Sequence, residues 1–216
     1  MRKIIIFGTG EGSRELLKVI IDDINRMKPS WEIIGFIDKD LSKKGEKIYG
    51  YPVIGTDYDG DTDNIYGVCG VMDNELRKKI IHEEILGKGF RLVSLIHPSI
   101  VQVPDFIYDS GVIMYPGSNI SYNVKLGVGV TVNYNCVLGH DLVIANYTYI
   151  GPSVTIAGQC SIGELCTIGA GSTLLQGVSI GNYSTVGIGT TIINNIDQNI
   201  HIIDFPRKIE SKKINI

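Results

Sequence analysis

Between Met114 and Ile192 every sixth residue is large and aliphatic: Met114, Ile120, Leu126, Val132, Leu138, Ile144, Ile150, Ile156, Ile162, Ile168, Leu174, Ile180, Val186 and Ile192. A second column stands four residues behind, from Ser118, Val124 and Val130 through Cys136, Cys160 and Cys166 to Thr190, and it is small or β-branched in character. Gly or Ala often follows the aliphatic residue, as at Gly127, Gly139, Ala145, Gly151, Ala157 and Gly163.

A period of six suits neither a 3.6-residue helix nor a strand that alternates every two residues. It suits a β-solenoid in which each hexad forms one flat side of a coil. The aliphatic residue fills the prism, the small one packs inward near the corner, and Gly eases the turn. Stacked coils share one continuous core and expose edges only at the ends.

The hexads leave about a hundred residues in front, an ordinary domain size. The expected division is 1–98 for a front domain, 99–195 for the solenoid and 196–216 for a polar tail across the outside of the last coils. A net charge of −3 without a long basic run argues against nucleic acid. No stretch approaches eighteen apolar residues, and MRKIIIFGTG opens a strand, so no membrane contact and a cytoplasmic location are expected. Cys136, Cys160 and Cys166 fall in the inward column and Cys69 in an apolar run, so all four cysteines read as core. There is no CxxC and no cluster of metal-ligand spacing, so no metal is expected.

In the front domain KIIIF (Lys3 to Phe7) precedes Gly8-Thr9-Gly10-Glu11-Gly12-Ser13-Arg14 and an amphipathic helix from about Arg14 to Met27. A strand, a Gly-rich turn and a helix can seat a phosphate on backbone N–H groups. The fingerprint is incomplete, and a tight strand-to-helix turn explains the glycines equally well. Trp31 to Ile37 reads as a second strand ending at Asp38-Lys39, where an acid faces a ligand's sugar or base. Further strands are expected at Tyr51 to Gly55, Ile65 to Val71 and Arg91 to Ile96, with a helix from Asn74 to Lys88. The result is a small Rossmann-like α/β sheet, too short for a dehydrogenase. His97, before Pro98, reads as a packed link.

His140 is the solenoid's single histidine, at an outward offset and followed by Asp141. An imidazole beside a carboxylate is a base near neutral pH with an orienting partner. No Ser-His-Asp or Cys-His nucleophile accompanies it, which favours direct transfer over a covalent intermediate.

The hexads, the Gly-rich α/β domain before them, LIHPS at 95–99, Asn133 followed by GHD at 139–141, and a Pro-x-Lys near the end together resemble the NeuD/PglD-type sugar acetyltransferases. The resemblance implies a left-handed parallel β-helix and a homotrimer with active sites between adjacent solenoids. It implies acetyl-CoA as co-substrate and, as acceptor, the amine of a nucleotide-linked sugar, a 4-amino-4,6-dideoxy sugar for bacterial surface-glycan (lipopolysaccharide O-antigen) biosynthesis. His140 matches the family's general base, Asp141 its acid and Asn133 a polar residue beside the substrate. Gly158 matches the amide facing the thioester oxygen, Ala170 and Ile188 the backbone along the CoA arm, and Pro206 and Lys208 the end of the CoA site. Gly8, Gly10, Arg14, Asp38 and Lys39 match the nucleotide-sugar pocket. The family's G-G-H turn is replaced here by Glu11-Gly12, and its G-x-P-A-K tail by Asp204-Phe205-Pro206-Arg207-Lys208. The rival expectations are O-acetylation of a sialic-acid-like sugar and a non-catalytic trimeric scaffold.

Overall fold

The computed structural model describes residues 1–203. The hexads form a triangular prism with three parallel sheets. One face carries Ile113–Met114, Thr131–Val132, Tyr149–Ile150, Thr167–Ile168 and Thr185–Val186. The second carries Asn119–Ile120, Val137–Leu138, Thr155–Ile156, Thr173–Leu174 and Thr191–Ile192, and the third includes Val124–Leu126, Leu142–Ile144, Ser161–Ile162 and Ser179–Ile180. Partners lie eighteen residues apart, as in Thr131 with Tyr149 and Val137 with Thr155. Three hexads therefore make one coil. The aliphatic column fills the prism: of its fourteen members only Ile120 is not fully buried.

The small column has a second use. Three of its polar members donate to the carbonyl fifteen residues on: Ser118 to Asn133 (2.9 Å), Thr148 to Gly163 (2.7 Å) and Ser172 to Gly187 (2.8 Å). The thiols of Cys136, Cys160 and Cys166 do the same to Gly151, Leu175 and Gly181 at 3.1–3.2 Å. Buried hydroxyls and thiols need such partners, so the column joins successive coils inside the core. The cysteines are core, as expected.

Past Ile192 the prism loses two residues and continues. Ile196 bridges Ile180, and His201–Ile202 pairs with Thr185–Val186, so the step between coils falls from eighteen to sixteen. Ser184 now donates to Asp197, thirteen residues on. The expected tail from Ile196 is thus corrected as far as Ile203: Ile196 and Ile202 pack against the core as a further partial coil.

The front domain is a six-stranded sheet ordered Lys47–Ile48, Tyr51–Gly55, Trp31–Ile37, Arg2–Phe7, Ile65–Cys69, Arg91–Leu92, parallel apart from its first pair. A helix runs continuously through Glu11–Glu15, a π-helical stretch Leu16–Ile21, and Asp22–Met27, burying Leu16, Leu17, Ile20 and Ile21. A second joins Asn74–Lys79 to the π-helical Ile80–Leu86, started by the Asp73 carboxylate accepting from the Leu76 N–H. The strand expected over Arg91 to Ile96 is divided: Leu95–Ile96 leaves the front sheet and pairs with Ile113–Met114 of the solenoid.

Arg77 joins the two parts. It is 1% exposed, and its guanidinium donates to the carbonyls of Gly129 (2.9 Å) and Tyr147 (2.7 Å) in the solenoid and of Met72 (2.8 Å) at home. Burial holds its pKa down to about 10, so it stays charged at neutral pH. Asn74 adds bonds to Cys166 and Thr167, and Lys78 pairs with Glu164. His97 bridges as well, with Nε2 on Asp23 (2.9 Å) and Nδ1 accepting from the Ser99 N–H (3.1 Å). It is the packed link the Pro98 junction suggested. Among the described residues no helix is long and apolar enough to cross a membrane.

Candidate active site

His140 and Asp141 occupy the corner between the second and third faces, just after Val137–Leu138 and before Leu142–Ile144. Asp141 has φ of +54°, and this left-handed turn directs its carboxylate back to the imidazole. His140 Nδ1 lies 2.8 Å from Asp141 Oδ2. The carboxylate can only accept, so Nδ1 carries the proton and Nε2 presents a free lone pair. Asn123 donates to the other Asp141 oxygen at 2.6 Å. The Asn123 amide first, and then His140, hold the Asp141 carboxyl below its ordinary pKa, so it remains a carboxylate at neutral pH.

The ring sits between coils. Eighteen residues before it, Tyr122 stacks on the imidazole with centroids 5.1 Å apart and planes 11° from parallel. Eighteen residues after it, Gly158 passes so close that an added Cβ would meet Nε2 at 2.4 Å. The structure therefore brings His140, Asp141 and Gly158 together.

The front cleft lies outside the carboxyl ends of Trp31–Ile37, Arg2–Phe7 and Ile65–Cys69, and strand order reverses between the last two, the position at which open α/β sheets bind ligands. Gly8, Asp38, Lys39 and Glu84 line it together with apolar Phe7 and Ile37. Gly8 has φ of +99°, and a Cβ there would collide with Val71 at 2.9 Å. Asp38 is hydrogen-bonded to the Thr9 hydroxyl, and Lys43 reaches both, at 3.2 Å and 2.9 Å. Burial works against the Asp38 carboxylate. Bonds from Thr9, the Asp40 amide and Lys43 outweigh it and set the pKa below the ordinary value. Lys39 is ion-paired with Glu84, which Lys88 also contacts at 2.8 Å.

Two expected members stand beside this cleft without lining it. Gly10 is exposed at the helix N-terminus, with nothing within 4 Å of an added Cβ, and no side chain caps that end. Arg14 turns back to the Thr9 carbonyl (3.3 Å) and toward Glu11 (3.9 Å).

Asn133, Ala170 and Ile188 lie on a different edge of the prism from His140, the corner between the first and second faces. Asn133 is 6% exposed, donates to the Tyr149 hydroxyl (2.9 Å) and accepts from the Tyr134 N–H (2.8 Å). Ala170 and Ile188 are stacked on consecutive coils, both exposed, Ile188 by 74%. One chain thus does not bring these three to the dyad. Pro206 and Lys208 lie outside the described residues.

Tyr122, Asn123, Thr9, Lys43 and Glu84 belong to these sites and were missed in the sequence. The eighteen-residue step from His140 marks Tyr122 as surely as it marks Gly158. Thr9, Lys43 and Glu84 carry no periodic signal, because tertiary pairing alone brings them to Asp38 and Lys39.

Two family models match the chain: the PglD N-terminal domain over residues 3–83 and the bacterial transferase hexapeptide (six repeats) over residues 141–176. No curated protein matches it in sequence. A histidine-to-asparagine mutant of perosamine N-acetyltransferase from Caulobacter crescentus, solved in complex with CoA and GDP-perosamine, superposes with a TM-score of 0.82 at 26% identity, covering 97% of each chain. The acetyltransferase domain of PglB from Neisseria gonorrhoeae, in complex with acetyl coenzyme A, gives 0.80 at 25% identity over 93% of this chain and 95% of that one. WeeI from Acinetobacter baumannii shares the fold, with a TM-score of 0.80 at 19% identity over 95% and 98%. A PglD-type front domain joined to transferase hexads, in one architecture shared end to end with perosamine N-acetyltransferase and the PglB acetyltransferase domain, makes the chain similar throughout its length to the NeuD/PglD-type sugar acetyltransferases.

Proposed function

We propose that the protein transfers the acetyl group of acetyl-CoA to the amine of a nucleotide-linked amino sugar, with His140 as general base. The observation that carries this is the His140–Asp141 pair at 2.8 Å, which directs the proton of the neutral imidazole to Nδ1 and its lone pair to Nε2, beside Gly158. Nε2 takes a proton from the sugar amine as the amine attacks the acetyl carbonyl, and the imidazolium formed is held by the Asp141 carboxylate. The Gly158 N–H has no acceptor among the described residues and is the candidate donor to the developing oxyanion. Collapse expels CoA as its thiol and leaves the amide.

The nucleotide belongs in the front cleft, with Asp38 and Lys39 facing the nucleoside and Gly8, Gly10 and Arg14 around the phosphates. Two of the similar structures hold ligands of this kind: CoA with GDP-perosamine, and acetyl coenzyme A. The CoA arm is assigned to Ala170, Ile188, Pro206 and Lys208. His140 and the Asn133–Ala170–Ile188 edge lie on separate corners, which supports a homotrimer in which one chain's dyad meets its neighbour's edge. The role assigned is bacterial surface-glycan biosynthesis in the cytoplasm, with a 4-amino-4,6-dideoxy sugar as acceptor.

A free-thiol assay with acetyl-CoA and UDP-, dTDP- and GDP-linked 3- and 4-amino sugars tests the reading. CoA release with one of them supports it and names the substrate. Release with free sialic acid alone would replace it by O-acetylation, and failure to bind acetyl-CoA would replace it by a scaffold.

A further inference from the structure

The coil before the dyad presents two consecutive residues, and each holds one member of the pair. Tyr122 covers the imidazole face with planes 11° apart, and Asn123 donates to Asp141 Oδ1 at 2.6 Å. Asn123 is itself fixed, because its N–H donates to Asp105 Oδ2 at 2.9 Å and its φ is +52°. The Asp141 N–H donates to the Tyr122 carbonyl at 3.2 Å, so backbone and side chains share one register. Tyr122 is 53% exposed, more than a tyrosine kept for core packing would be.

The arrangement constrains both freedoms the dyad has. An imidazole bonded through Nδ1 alone can still swing about that bond, and a flat ring against its face stops the swing while leaving Nε2 open. Aromatic pairs of this offset, parallel kind are favourable beyond simple burial. A carboxylate with a single partner can rotate one oxygen away, and the Asn123 amide on the second oxygen prevents it. The ring is closed off above by Gly158 and below by Tyr122, so Nε2 has one direction in which to meet a substrate proton.

We infer that Tyr122 and Asn123 are positioning residues for the His140–Asp141 base, Tyr122 setting the ring plane by stacking and Asn123 setting the carboxylate. The inference rests on the proposed role of His140. It predicts that stacking, not the phenol hydroxyl, is what Tyr122 supplies.

The test combines spectroscopy with kinetics. The chain has four histidines, so the His140 ring protons can be assigned by comparison with His140→Ala. In the unmodified protein they should lie upfield under the Tyr122 ring current, stay there in Tyr122→Phe and move downfield in Tyr122→Leu. In the acetyl-transfer assay Tyr122→Phe should keep its rate, while Tyr122→Leu should lose about tenfold or more in kcat with both KM values unchanged, the mark of a misaimed base. Asn123→Gly accepts the positive φ and removes only the amide, so it should lower kcat in the same way, and the double variant should lose less than the product of the two.

A wild-type kcat for Tyr122→Leu would overturn the inference. Equal damage in Tyr122→Phe would overturn it too, by pointing to the hydroxyl, as would a change confined to KM. An active His140→Ala enzyme would instead remove the general-base reading, while the ring shifts would still report whether Tyr122 stacks on His140.

Discussion

A Cβ placed on Gly158 would lie 2.4 Å from His140 Nε2. Two residues eighteen apart in sequence therefore share one small volume at the edge of the prism, and only a glycine lets the imidazole keep its place. Gly158→Ala should leave the fold intact, since the His140 side chain it meets is part-exposed and can move, but push the ring off Asp141. A fall in kcat of about tenfold to a hundredfold at unchanged melting temperature is expected; an unaffected kcat would show that the ring has room.

His140→Ala removes the proton acceptor without touching the core. Loss of a general base lowers rate by about 10²–10⁴-fold. The variant should keep its melting temperature and its acetyl-CoA binding, measured by calorimetry. Activity within tenfold of the parent would dismiss His140 as the base.

Asp38→Asn tests the front cleft. The Asp38 carboxylate has a folded pKa below its unfolded value, so its contribution to stability is present above about pH 4 and is lost as pH falls through the lower folded value. The variant should therefore melt lower at pH 7 and show a shallower decline of Tm with acid below pH 4. Nucleotide binding, followed by thermal shift, should weaken, because Thr9 and Lys43 lose the anion that orders them. Unchanged binding would place the nucleotide elsewhere.

Arg77→Met strips hydrogen bonds from the buried carbonyls of Gly129 and Tyr147 and the part-buried one of Met72 while keeping much of the side chain's bulk. Each acceptor left without a partner costs about 1–3 kcal/mol. The expected result is a loss of several degrees in Tm, with the front domain melting ahead of the solenoid. A single transition at the original temperature would mean that Asn74, Lys78 and His97 hold the junction alone.

Thr148→Val isolates the internal column. Valine matches threonine in shape but removes the donor to the Gly163 carbonyl and the acceptor of the Cys166 N–H at 3.0 Å. A destabilisation of about 1–3 kcal/mol by urea unfolding is expected. A neutral change would mean that the coils are held by apolar packing alone.

The solenoid was legible because its signal repeats. Each aliphatic from Met114 to Ile192 is set by the same geometric demand, and one register error would have broken the series. His140 was legible because it departs from that demand, an outward imidazole where packing asks for nothing. What the hexads could not show is non-periodic: the two-residue shortening after Ile192, and the transfer of Leu95–Ile96 to the solenoid. The front cleft was half legible. Gly8, Asp38 and Lys39 sit at strand ends, where chain order alone places them, whereas Lys43 and Glu84 arrive through ion pairs that no local pattern records. Asn133 carried a polar signal without the information that it faces another edge.

The inward hydroxyl and thiol column also determines where this protein can change length. A residue gained or lost within a face would turn the next aliphatic outward and empty part of the prism. At a corner the same event only resets the offset, as the step from fifteen to thirteen residues at Ser184 shows. Drift in chain length should therefore collect at corners, and it should be least tolerated at the one that holds His140, whose ring meets Tyr122 on the coil before and Gly158 on the coil after.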